Sequence, residues 1–284
     1  MHDHEAAPRL TALQGAAILI ISRLFVFFCT DIPFSSAYAA GMLAAAGVQG
    51  MLAVLLLHLP ARIAESRLLL TLCRCYAACR SVMLCAMLYA LLIQTRAPHP
   101  LPVMAAAVPV LMYTVSRPPS AAAYTATVLL FLSGIAFLLL PLAALRTANA
   151  AALCLPDSAA AAFRREWLFS GECWLLPLLM RRQTRRDTAH AAAGWAAAEG
   201  ILLPLTVLLG TVQNGRLRGM HCNPFFLLLA ESPLSDAVRT DGFWLVLAVS
   251  CGITAITFAV QSALMPYRDA VTHPASQRKD RSCI

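Results

Sequence analysis

Apolar runs long enough to cross a lipid bilayer recur along this chain, and few folds are open to a sequence built that way. A hydrocarbon core about 30 Å thick takes about 20 residues of helix. With no water inside it, the backbone must satisfy its own hydrogen bonds as helices or as a closed barrel. Here the runs are continuous instead of alternating in polarity, which selects helices. Composition agrees: 60% of residues are hydrophobic and 13% charged, with a mean hydropathy of +0.70, against about 45–50% and about 25% in soluble domains. The expected fold is all-α, a polytopic helical membrane protein. The net charge of +8 does not point to nucleic acid, because the basic residues sit at the ends of apolar runs, where they set orientation.

Eight spans are expected, over residues 13–29, 37–59, 68–94, 103–115, 121–145, 167–180, 191–212 and 243–265. They form one membrane domain, 1–266, followed by a polar, unstructured cytoplasmic tail, 267–284. Proline-rich turns at 96–102 and at Arg117, Pro118 and Pro119 separate the third, fourth and fifth spans, since proline removes a backbone donor and clashes with the preceding helical turn. The segment 68–94 is longer than one hydrocarbon thickness. Arg74 and Arg80 are therefore expected near the headgroups, at the basic end of a long tilted helix. The polar connection 213–240 contains a short apolar stretch, 225–230, expected to lie on the membrane surface. The N-terminus lacks the pattern of a cleavable signal peptide.

Basic residues set the orientation. With the N-terminus cytoplasmic, twelve fall on the inner side, among them Arg181, Arg182, Arg185 and Arg186, and seven on the outer side. Both termini are then expected to be cytoplasmic.

The sixth span is the unusual one. Its 14 residues are too few to cross as straight helix, and Ser170, Gly171 and Pro177 all weaken helix within it. A short span interrupted by Gly or Pro marks the binding site in many transporters. Glu172 lies inside it, and an ionisable residue at that depth is a functional candidate. The plain alternative is a re-entrant segment in which Glu172 only pairs with a neighbouring helix.

Ten cysteines raise the question of metal or disulfide chemistry. Cys29, Cys85, Cys173 and Cys251 lie in apolar runs, where cysteine acts as a small hydrophobe. Cys73 and Cys75 project from different faces of one helix, and no metal set is expected. Neither HExxH nor GxSxG occurs, so an enzyme is the weakest reading.

In order along the chain come Gln14 before the first span, Leu101, Pro102 and Tyr113 around the fourth, and Phe169, Ser170, Gly171 and Glu172 in the sixth. Gly210, Asn223, Pro224 and Arg239, Thr240, Asp241, Gly242, Phe243 and Trp244 follow. This series resembles the spore-germination permeases, the B subunits of nutrient germinant receptors within the amino acid/polyamine/organocation transporter superfamily. The resemblance implies an inverted-repeat fold of ten helices, with the first and sixth unwound at mid-membrane around a small amino-acid-like ligand. It also implies membrane lipid and other receptor subunits as partners, no cofactor, and the spore inner membrane as location. Two departures stand out: Ile21, Ser22, Arg23 and Leu24 replace the glycine-rich break of the first helix, and the count of eight spans is two short of the family pattern.

Two functions are expected from these observations. In the first, the chain is a germinant-receptor subunit or permease that holds its ligand at Ser170, Gly171, Glu172 and Arg23, with Glu172 neutralising an ammonium group or pairing with Arg23. In the second, it is a non-transporting structural subunit that assembles partner proteins in the membrane.

Overall fold

The computed structural model describes residues 10–33, 35–64, 66–94, 100–144, 159–213, 221–222 and 241–265. The polar tail 267–284, the stretch 225–230, and Gly242, Asn223, Pro224, Arg239 and Thr240 fall outside these residues or outside the described side chains. Eleven α-helices are described: α1 (Ala12–Cys29), α2 (Ser36–His58), α3 (Ala61–Ala64), α4 (Arg67–Gln94), α5 (Pro100–Ser116), α6 (Pro119–Ala144), α7 (Ala159–Phe169), α8 (Leu176–Leu179), α9 (Arg185–Ala197), α10 (Leu203–Gln213) and α11 (Asp241–Ala263). A 3₁₀ turn, Glu172–Leu175, joins α7 to α8, and a π-helical turn, Ala198–Leu202, joins α9 to α10. One two-residue antiparallel bridge pairs Ile32 with Cys222 and Pro33 with His221.

Helix α1 is the axis of the bundle. A capping box starts it, with Thr11 Oγ1 accepting from Gln14 N–H and Gln14 Oε1 accepting from Thr11 N–H at 2.9 Å. Every residue from Gln14 to Cys29 is buried, as a helix apolar all round should be. It is surrounded by α9, α11 and α6, while α2 lies along α7 and α4 along α11. Gly41 allows the α2–α7 approach, because a Cβ there would meet the Ala159 carbonyl and Ala162 Cβ. The outer surface is apolar, with Met51, Leu68, Val82, Met112, Val246 and Leu264 each at least 65% exposed. That is the reverse of a soluble fold and suits lipid.

Five helices are long and apolar enough to cross a membrane: Ala12–Cys29, Ser36–His58, Arg67–Ile93, Arg185–Leu209 and Leu245–Ala263. A sixth arises if Leu101–Ser116 and Pro119–Ile135, bent by 118°, count together. The chain is thus a membrane-embedded helical protein, with five or six such helices among the described residues where the sequence suggests eight. The difference lies where the sequence pattern is short or broken. Helix α5 has only 17 residues, and the expected sixth span is divided between α7, which begins upstream at Ala159, the 3₁₀ turn and a single turn of α8.

One end of the bundle is tied together by arginines. After α8 the chain turns through Arg181, Arg182 and Gln183, and Thr184 caps α9 by accepting from Asp187 N–H. Leu10 N–H donates to the Arg182 carbonyl and Gln183 Nε2 to the Thr11 carbonyl, holding the start of α1. Arg185 donates to the Leu57 carbonyl at the end of α2. Arg182 donates to the Gln261 carbonyl in the last turn of α11, and Gln261 Nε2 donates to the Arg117 carbonyl after α5 at 2.9 Å. Arg74, near the start of α4, donates to the Met265 carbonyl. The last carbonyls of a helix lack intrahelical donors and carry the negative end of its dipole, so guanidinium groups are the favoured caps. The start of α1 and α9 and the ends of α2, α5 and α11 therefore share one side.

Candidate functional site

A cluster of buried charges lies midway along α1. Arg23 forms an ion pair with Glu166 on α7, and its Nε lies 3.2 Å from Glu199 Oε1 on the π turn. Arg80 on α4 pairs with Glu172 on the 3₁₀ turn. All five side chains are under 10% exposed. Removing such ions from water costs several kcal/mol each, about, and only close pairing offsets it. Neutral donors complete the cluster: the Tyr38 hydroxyl donates to Glu166 Oε1 at 2.9 Å and Ser22 Oγ to Glu172 Oε1 at 3.3 Å.

The break between α7 and α8 is at its centre. Helical geometry stops at Phe169, and Gly171 adopts φ −143° and ψ 23° before the 3₁₀ turn. Tyr76 on α4 packs against it so closely that a Cβ at Gly171 would collide with the hydroxyl. Interrupting a helix frees backbone carbonyls, which must find new donors when buried. Arg80 donates to the Phe169 carbonyl as well as to Glu172. Gln49 Nε2 donates to the Ser170 carbonyl at 2.6 Å and to Ser170 Oγ at 2.7 Å. One guanidinium thus bridges the two sides of the break, and one amide seals it.

Glu199 reaches the cluster because its helix is irregular. Pro204 has no N–H to give the Gly200 carbonyl and cannot continue the α-helical ladder. The chain instead makes a π turn in which Leu203 N–H donates to the Ala198 carbonyl. Single π turns within helices are frequent at functional sites. A small cavity lies between Ile20, Arg23 and Leu24 on α1 and Trp195, Glu199 and Leu202 across from it. Its volume of about 10 Å³ is at the lower bound for a single water.

Each site residue expected from the sequence, Arg23, Ser170, Gly171 and Glu172, belongs to this cluster. Their partners differ from expectation. Glu172 pairs with Arg80, and Arg23 pairs with Glu166 and Glu199. Arg80 does not reach the headgroups. It is 3% exposed and lies six residues, about 9 Å of helix rise, beyond Arg74, which does sit at the arginine-tied end. The expected snorkelling loses because two buried acceptors, Glu172 and the Phe169 carbonyl, need that charge. Backbone groups freed near Ser170 and Gly171 are expected to hold a ligand; in the structure the Phe169 and Ser170 carbonyls are held by protein side chains. Helix α1 is unbroken, where the family resemblance implies unwinding. Glu166, Glu199, Tyr38, Gln49 and Tyr76 are site residues that the sequence reading did not assign. The available signal was charge balance: an arginine and an acid inside separate apolar runs need one another. Among the described residues no group of three His, Cys, Asp or Glu side chains could hold a metal. No family model, curated protein or solved structure matches the chain.

Proposed function

We propose that this chain is a membrane-embedded receptor subunit of the amino acid permease type, of the spore-germination kind, which binds a small amino-acid-like ligand at the α7–α8 break. One observation carries the reading. Around a broken helix deep in an apolar bundle, three carboxylates face two guanidiniums, so the described cluster has one acid in excess. An ammonium group is the chemistry that balances it, and an intramembrane charge kept at such cost is by default functional. The arginine-tied end, by the positive-inside rule, faces the cytoplasm and takes both termini with it. Lipid and other receptor subunits cover the apolar exterior.

A second reading is favoured by the closure of the site. The break is sealed by Arg80 and Gln49, and the adjoining cavity is far smaller than an amino acid. A non-transporting subunit that assembles partners would need no more than this. Ligand entry requires the Arg80 and Gln49 contacts to open. Equilibrium binding of a panel of labelled amino acids to the reconstituted full chain separates the two. Saturable binding, competed by other amino acids but not by analogues with hydroxyl in place of ammonium, supports the receptor reading. Absence of binding across the panel favours the assembly role.

A further inference from the structure

The three buried acids are unequally provided with donors. Glu166 receives Arg23 Nη2 and the Tyr38 hydroxyl; Glu172 receives Arg80 Nη2 and Ser22 Oγ, both on Oε1, and its Oε2 is buried with no partner. Glu199 is held more weakly: Arg23 Nε lies 3.2 Å from its Oε1 but off the hydrogen-bond direction, the neighbouring Ser170 hydroxyl donates to the Glu166 carbonyl, and Oε2 is buried with no partner. Trp195 Nε1, on the same side of the small cavity, is likewise buried without a partner. Two guanidiniums cannot balance three carboxylates. A buried carboxylate left with neither full pairing nor donors takes up a proton instead.

We propose that Glu199 is a proton-binding site, holding an exchangeable proton on its carboxyl within the membrane-embedded cluster. The other charged or titratable groups around it are Arg23 on α1, Tyr38 on α2, Tyr76 and Arg80 on α4, and Glu166, Glu172 and Cys173 about the break. Of these, Arg80 pairs with Glu172, and Arg23 is shared between Glu166, to which it donates, and Glu199. The cavity beside it has room for a water at most, which is enough for a proton without the Arg80 and Gln49 contacts opening. With the proton in place the cluster is neutral: two arginines, two carboxylates and one carboxylic acid. The π turn that displaces Glu199 from α-helical register gives this acid its place opposite Arg23. The proton site stands whether or not the break binds an amino acid.

Infrared difference spectroscopy on the purified full-length protein in lipid nanodiscs tests this directly. At neutral pH the wild type should show a protonated-carboxyl C=O band that shifts in D2O and disappears when the pH is raised, and Glu199→Gln should lack it. Because glutamine mimics the protonated, neutral acid, Glu199→Gln should also insert, purify and melt within a few degrees of the wild type. Absence of the band in the wild type, its persistence in Glu199→Gln, or failure of Glu199→Gln to fold would each overturn the assignment.

Discussion

Replacing Arg80 by methionine removes a charge while keeping much of the apolar stem, and its consequence depends on where that arginine lies. At the headgroups, as the sequence suggests, its loss would cost no more than an exposed ion pair, about 1 kcal/mol or less. In the structure its guanidinium is the partner of both Glu172 and the Phe169 carbonyl. Arg80→Met then leaves a buried carboxylate unpaired, worth about 3–5 kcal/mol, and a buried carbonyl without a donor, worth about 1–3 kcal/mol. The total, about 4–8 kcal/mol, is comparable to the stability of a whole domain. Combining it with Glu172→Gln neutralises the stranded acid, so the double variant should recover most of the ionic part and retain only the cost of the carbonyl. The assay is thermal unfolding in detergent, followed as the loss of the monodisperse peak on size exclusion. A near-neutral Arg80→Met, or a double variant no more stable than Arg80→Met, would refute the buried bridge.

Three further outcomes follow from the packing. Gly41→Ala forces α2 away from the Ala159 carbonyl and Ala162 and should cost about 1–3 kcal/mol as overpacking. Gly47→Ala, where a Cβ meets open space, should be neutral or stabilise by about 0.5–1 kcal/mol, both read from the same melting curves. Gln49→Leu withdraws the side-chain donor of the Ser170 carbonyl and should destabilise by about 1–3 kcal/mol. Accessibility tags at the N-terminus, in the 181–187 turn and at the C-terminus should all report one face of the membrane, since that turn holds the start of α1 and its arginines hold the ends of α2 and α11. A turn tag on the opposite face from both termini would contradict that arrangement.

The helices of continuous hydrophobicity were legible because their length and apolarity suffice to define them: the expected 13–29, 37–59 and 68–94 became Ala12–Cys29, Ser36–His58 and Arg67–Gln94. The break at Ser170 and Gly171 was legible for the converse reason, since a segment with Gly and Pro at those spacings cannot sustain the ladder. What local pattern does not carry is pairing. Arg80 and Glu172 are 92 positions apart, Arg23 and Glu166 are 143, and nothing in either neighbourhood names the partner. Helix length alone also misplaced Arg80, because position along a long helix fixes depth only once its packing is known. The start of α9 at Arg185 was missed because Arg185 and Arg186 are polar and oppose the helix dipole in the first turn. The Thr184 cap and Asp187 outweigh them. Pro204 was visible within its span, but its effect, a π turn that sets Glu199 opposite Arg23, depends on α1 lying alongside.

We propose that the described cluster, with one negative charge in excess, exchanges the Glu199 proton for a ligand ammonium group. Calorimetric titration of the reconstituted protein with an amino acid that saturates it, repeated in buffers of different protonation enthalpy, counts protons released per ligand bound. About one proton per ligand is predicted for the wild type, by linkage between two cations that compete for one charge, and none for Glu199→Gln. Saturable binding with no proton released by the wild type, or no amino acid that binds at all, would contradict the account.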